Sequence, residues 1–125
     1  GSRLYLTLQG EDKFLVLDAA TGQALDETPV NASPHGLGLS PDGRFAWTGD
    51  LGRRSSTIVE TATGNAVAQI SYGGVANPHA IAFSPDGKRA YVSDFLGRRL
   101  VVVDTGVREQ IFLPVVTGDG IAVGE

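Results

Sequence analysis

Three observations on this 125-residue chain predict an all-β fold built from repeated four-stranded antiparallel sheets. Seventeen glycines break the apolar residues into short bursts, a composition that suits many short strands. No segment sustains the 3.6-residue spacing of apolar positions that an amphipathic helix requires. Finally, the stretch from Pro34 to Asp50 is repeated from Pro78 to Asp94, and the spacing of 44 between Pro34 and Pro78 holds at Ser40/Ser84 and Asp50/Asp94. A repeat of this length signals an array of one supersecondary unit.

The elements follow in order. Arg3–Leu8 and Lys13–Asp18 are apolar, β-branched runs around the turn Gln9-Gly10-Glu11-Asp12, which predicts a hairpin. The break Ala19-Ala20-Thr21-Gly22 leads into a more polar third strand over 23–29, suited to an outer edge. The next repeat carries four strands: A near 36–39, the turn Ser40-Pro41-Asp42-Gly43, B at 44–48, C at 56–60 and D at 65–71. The last repeat copies it, with A at 80–83, B at 88–93, C at 99–104 and D at 109–113.

The aromatic-to-acid spacings Tyr5–Asp18, Trp47–Glu60 and Tyr91–Asp104 are identical, so the chain holds three repeats rather than two. The first lacks an A strand, while Gly118-Asp119-Gly120-Ile121-Ala122-Val123 reads as an A strand with nothing after it. A strand from one terminus completing the sheet begun by the other is how a propeller closes its ring and hides its edges. The expected organisation is one unit over 3–125: repeat 1 with strands B–D in 3–30 and strand A from 118–123, repeat 2 over 34–72, and repeat 3 over 78–115. Gly1-Ser2 without an initiating methionine reads as a tag remnant.

With Pro-His-Gly/Ala, Ser-Pro-Asp-Gly-Arg/Lys and Ala-Tyr-Val-Ser-Asp in hand, residues 3 to 123 resemble the YVTN family of β-propeller repeats. The first repeat departs from the pattern, with Leu8 where Asp50 and Asp94 stand. The resemblance implies mainly seven-bladed rings of exported bacterial or archaeal proteins, with roles from ligand binding to surface-layer and redox-protein domains. No single activity follows from the repeat.

Three blades are too few for a closed ring of four to eight, and a lone arc leaves an apolar blade face bare at each end. The expectation is a homodimer of six blades, with Gly120–Val123 of one subunit supplying the missing A strand of the other. The rival readings are an excised or engineered piece of a longer propeller, or a nine-bladed trimer.

Composition narrows the partners. A net charge of −4, from 14 acidic and 10 basic residues, lacks the basic field that nucleic acid needs. With no cysteine, thiolate metal sites, disulfides and cysteine nucleophiles are excluded. No apolar run is long enough to span a membrane as a helix.

Antiparallel strands bring the start of A, the end of B and the start of C to one end of each repeat. That end is expected to collect His35, His79, the equivalent Asp119, the carboxylates Asp50 and Asp94, and the loop arginines Arg53, Arg54, Arg98 and Arg99. Imidazole and carboxylate suit a divalent transition metal, although the separation of neighbouring blades works against one shared ion; because the Pro-His pair belongs to the repeat consensus that the chain resembles, each histidine is expected to bond loop backbone and position the strand entry. No metal or other cofactor is expected. Repeated guanidinium forks suit a small anionic ligand, and the plainer expectation pairs them with Asp50, Asp94 or Glu11. Ser-Pro-Asp-Gly is explained by turn chemistry, and no nucleophile elbow, phosphate loop or metalloprotease helix occurs. The expected function is a non-catalytic scaffold or binding module that assembles into a ring. The alternative is a metal- or anion-binding enzyme domain working at the channel mouth.

Overall fold

A computed structural model describes residues 2–73, 76–115 and 121–124. It contains eleven strands in three antiparallel sheets. Blade 1 is a three-stranded sheet of β1 (Arg3–Leu8), β2 (Lys13–Asp18) and β3 (Ala24–Pro29), with a short 3-10 turn at Gln9–Glu11. Blade 2 is the meander β4 (Pro34–Leu39), β5 (Phe45–Asp50), β6 (Ser55–Glu60) and β7 (Asn65–Ser71). Blade 3 repeats it with β8 (Pro78–Phe83), β9 (Arg89–Asp94), β10 (Arg99–Asp104) and β11 (Gln110–Pro114).

The inner strands start two residues earlier than the sequence suggests, at Pro34 and Pro78. A proline lacks the N–H a ladder needs, and the first residue of a strand tolerates that loss. Each pairs with the aspartate ending the B strand, Pro34 with Asp50 and Pro78 with Asp94, and an irregularity in register follows before Gly36 and Ile81. Both histidines therefore lie where the ladder is interrupted.

Blade 2 is buried on both faces. Ala46 and Val59 close against Phe14 and Val16 of blade 1. Trp47, Ile58 and Ile70 join Ile81, Phe83, Val92, Val101 and Val103 of blade 3 in the larger core, where the Trp47 and Phe83 rings meet edge to face at 5.3 Å. Alternation along each strand produces this two-sided burial.

Among the described residues the outward faces of blades 1 and 3 have no such cover. Leu4 and Leu6 are 50% and 37% exposed, although Ala46 and Thr48, at the same repeat positions in blade 2, are fully buried. Leu113 pairs with Leu100 as Ile70 pairs with Ser56, yet Leu113 is 44% exposed and Ile70 only 4%. The edge of β1 also has no neighbouring strand among the described residues. Asp119 and Gly120, expected in the missing A strand, lie outside the described residues, and the described remainder, Ile121 to Gly124, forms no strand.

The turns between C and D strands are built alike. The amides of Gly22, Gly64 and Arg108 donate to the carbonyls of Asp18, Glu60 and Asp104 at 2.8, 2.9 and 2.7 Å, and all three residues have left-handed φ, +73°, +74° and +62°. Glycine adopts that conformation freely, whereas a side chain costs about 1–2 kcal/mol there. Arg108→Gly is therefore expected to stabilise the fold by about 1 kcal/mol, seen as a higher urea midpoint with an unchanged slope.

Candidate functional site

One end of the blades gathers the residues singled out in the sequence. His35 and His79 open the inner strands β4 and β8, and their rings lie 4.0 Å apart, tilted by 33°. His79 in turn stacks on Phe95 at 5.0 Å. The expectation that neighbouring blades hold the two imidazoles apart is thus corrected. The cause is glycine: a Cβ at Gly36 would overlap the His79 carbonyl oxygen, and one at Gly49 would lie 2.9 Å from it. Without those side chains the two inner strands come together closely enough for the rings to touch. The backbone on this side is tied as well, with Thr7 of blade 1 donating to the His35 carbonyl at 2.9 Å.

Among the described residues no carboxylate joins the histidine pair. Among the described residues no group of three or more histidines, aspartates or glutamates converges on a common point. Ile121 lines the shallow hollow beside His35 and His79, and Asp119 lies outside the described residues.

Asp50 and Asp94 occupy one repeat position in two different electrostatic settings. Asp50 is fully buried and accepts from the hydroxyls of Thr48 and Thr57, both at 2.7 Å. Burial pushes its pKa up against those two bonds. Asp94 is also buried, which works against its charge, but the amides of Asn77 (2.9 Å) and Gly97 (3.0 Å) and the Arg99 guanidinium together hold its carboxyl below the usual range. Arg99 contacts Asp94 Oδ2 through both Nε (3.1 Å) and Nη2 (3.0 Å) and lies over the Phe112 ring.

The four arginines therefore divide. Arg99 stands directly across the ladder from Asp94, where blade 2 pairs Ser55 with Asp50, so its fork is already engaged. Arg53, Arg54 and Arg98 are exposed at the same end as the histidines, with Arg54 and Arg98 in matching left-handed conformations at φ +53°. The Gly-Arg-Arg runs look alike in sequence but are displaced by one residue within the repeat, which is why one arginine enters a strand and the others stay in loops. Another polar contact went unread in the sequence: Tyr72, nearly fully buried, shares a 2.7 Å hydrogen bond with Ser56, and burial raises its hydroxyl to about 12. Its place, just beyond β7, gave no repeat signal.

The Ser-Pro-Asp-Gly turns lie at the opposite end, as expected. Asp42 Oδ1 accepts from the Ser40 hydroxyl (2.6 Å) and the Arg44 amide (3.0 Å), and Asp86 Oδ1 accepts from Ser84 (2.7 Å) and Lys88 (3.0 Å). Each serine hydroxyl thus serves the turn, donating to its aspartate and accepting from the Phe45 or Arg89 amide at 3.0 Å.

No family model and no curated protein matches the chain. Solved structures do. Hydrazine synthase from Kuenenia stuttgartiensis is 30% identical over 90% of this chain, with a TM-score of 0.80. The WD40 repeats of RRP9 (15% identity, 90% of this chain, TM-score 0.78) and virginiamycin B lyase from Staphylococcus aureus (13%, 94%, 0.77) share the fold at lower identity. The chain spans 32%, 35% and 39% of those three chains respectively. Enzymes and repeat scaffolds stand side by side among these neighbours, so they fix the architecture and not the activity. With meandering four-stranded sheets, paired inner strands and these neighbours, the chain has the β-propeller fold and contributes three of its blades.

Proposed function

We propose that this chain is a non-catalytic propeller unit that works by closing a ring with a second copy of itself, six blades in all. The observation that supports the reading is that each end blade leaves exposed the positions that blade 2 buries, Leu4 and Leu6 at one end and Leu113 at the other. Blade 3 turns outward the positions that blade 2 buries against blade 3, and blade 1 turns outward those that blade 2 buries against blade 1. Two copies related by a two-fold axis satisfy both ends with two identical head-to-tail contacts, so the assembly closes instead of growing.

The blade 1 face supports an apolar protein cover in particular. Leu6, Leu8 and Leu15 stand where blade 2 carries Thr48, Asp50 and Thr57, the buried hydroxyl and carboxylate set. A face without those polar groups asks for packing and not for hydrogen bonds. In this reading Ile121–Val123 of each copy pairs with the open edge of β1 in the other, removing an edge that would otherwise invite uncontrolled pairing.

Light scattering during size exclusion tests the proposal. The expected mass is twice 13.0 kDa at micromolar concentration, and Leu6→Glu combined with Leu113→Glu is expected to give a folded monomer, since a charge at a desolvated contact is costly. A wild-type chain that stays monomeric, or a mass the double variant leaves unchanged, overturns it.

A further inference from the structure

We infer that the cleft between blades 2 and 3, at the end opposite the histidines, binds a small zwitterion that joins an ammonium and a carboxylate to an aromatic or branched apolar side chain, as an α-amino acid or short peptide does. The cleft encloses about 560 Å³, with Trp47, Ile58 and Phe83 at its floor and Asp42, Asp86 and Arg108 at its rim. That size falls within the ordinary range for small-molecule sites, in which an apolar floor supplies affinity and a few polar groups fix orientation.

The rim supplies both halves of the charge complement. The two Ser-Pro-Asp-Gly turns lie side by side, since a Cβ on Gly87 would sit 3.6 Å from the Pro41 ring. In each turn every hydrogen bond described for the aspartate side chain falls on Oδ1, which leaves Oδ2 for an incoming donor. Those same bonds hold both carboxyls below their usual range, Asp42 chiefly through Ser40 and Asp86 chiefly through the Lys88 amide. Both are anionic at neutral pH and suited to an ammonium group.

Arg108 is the second, independent argument. The repeats place glycine at this turn position twice, at Gly22 and Gly64, and only the third turn, the one beside the cleft, accepts a side chain in the left-handed conformation. Backbone strain of this kind persists where the residue is used. Here it brings a guanidinium, a planar fork for a carboxylate, to a cleft already rimmed by two acids.

Trp47 is the sole tryptophan, so its emission reports on the cleft directly. Titration with L-phenylalanine is expected to give a saturable change. L-phenylalaninamide, which lacks the carboxylate, and 3-phenylpropionate, which lacks the ammonium, are each expected to bind at least about tenfold more weakly. Arg108→Gly is expected to weaken L-phenylalanine to the level of the amide and leave the amide unchanged. Asp42→Asn with Asp86→Asn, which keeps the Oδ1 acceptors of both turns, is expected to weaken both amines. No saturable response up to the solubility limit, or equal affinity for L-phenylalanine in Arg108→Gly and wild type, overturns the inference. The cleft lies within one chain, so the titration reads it separately from ring closure, and a monomeric chain is expected to respond in the same way.

Discussion

Gly36→Ala is expected to destabilise the fold by about 3 kcal/mol or more, the upper range for overpacking a closed core, and to lower the thermal midpoint by roughly 10 °C for a domain of this size. The added methyl would overlap the His79 carbonyl oxygen, with the Ala80 Cα 3.1 Å away. These are backbone atoms of a central strand, so no rotamer change relieves the conflict and β8 as a whole must retreat. Gly38 reinforces the restriction, since its Cβ would lie 2.7 Å from the Ile81 carbonyl oxygen. A retreat of β8 loosens the larger core, in which Trp47 of blade 2 packs on Phe83 of blade 3. The repeat supplies a control. Ala80 and Ala82 hold in blade 3 the positions of Gly36 and Gly38, and there a Cβ is accommodated with both residues half-buried. Ala80→Gly is therefore expected to cost only the ordinary entropy of a glycine in a strand, about 0.5–1 kcal/mol. Equal midpoints for Gly36→Ala and wild type would refute the close-approach argument.

The same pair of positions shows what was legible in the sequence. The strands could be read because apolar alternation and the two Ser-Pro-Asp-Gly turns are local signals, and their bounds came within two residues of those found. That glycine stands at position 36 and alanine at the matching position 80 is also written in the repeat, but only a comparison across copies reveals it. The contact of the His35 and His79 rings was not legible, because it depends on how closely two distant strands approach. The arginines misled for another reason. Gly52-Arg53-Arg54 and Gly97-Arg98-Arg99 match as words, whereas the fold counts residues from Asp50 and Asp94, and by that count Arg99 takes the place of Ser55. Cross-strand pairing with Asp94, invisible in the motif, follows from that one-residue displacement. The cleft beside Arg108 had a readable trace, an arginine where two sister turns use glycine, although its significance depends on the left-handed φ.

Asp94→Ala is expected to lower stability by about 2–3 kcal/mol at neutral pH, which corresponds to losing several charge-assisted hydrogen bonds at once. Removing the carboxylate strands the amides of Asn77 and Gly97, which order the two loops flanking the inner strand, and takes away the ion pair between Arg99 and Asp94. The Arg99 side chain is 33% exposed, so its charge can still reach water, and the loss falls short of that for a fully buried pair. The pH dependence separates this site from its sister. The Asp94 pKa is lowered on folding, so its stabilisation is complete above the unfolded value of 3.8 and disappears as the pH falls through the folded value below it. Asp50 is raised, so it favours folding below 3.8 and that contribution fades as the pH rises from 3.8 through its folded value. The gap between wild type and Asp94→Ala should thus narrow on acidification below 3.8, while Asp50→Asn should improve relative to wild type as the pH is raised toward neutrality. Urea unfolding at fixed protein concentration, repeated across that range, measures both. A gap for Asp94→Ala that widens in acid would mean that the carboxylate is not held ionised by Asn77, Gly97 and Arg99, and the electrostatic assignment of this end of the blade would fall with it.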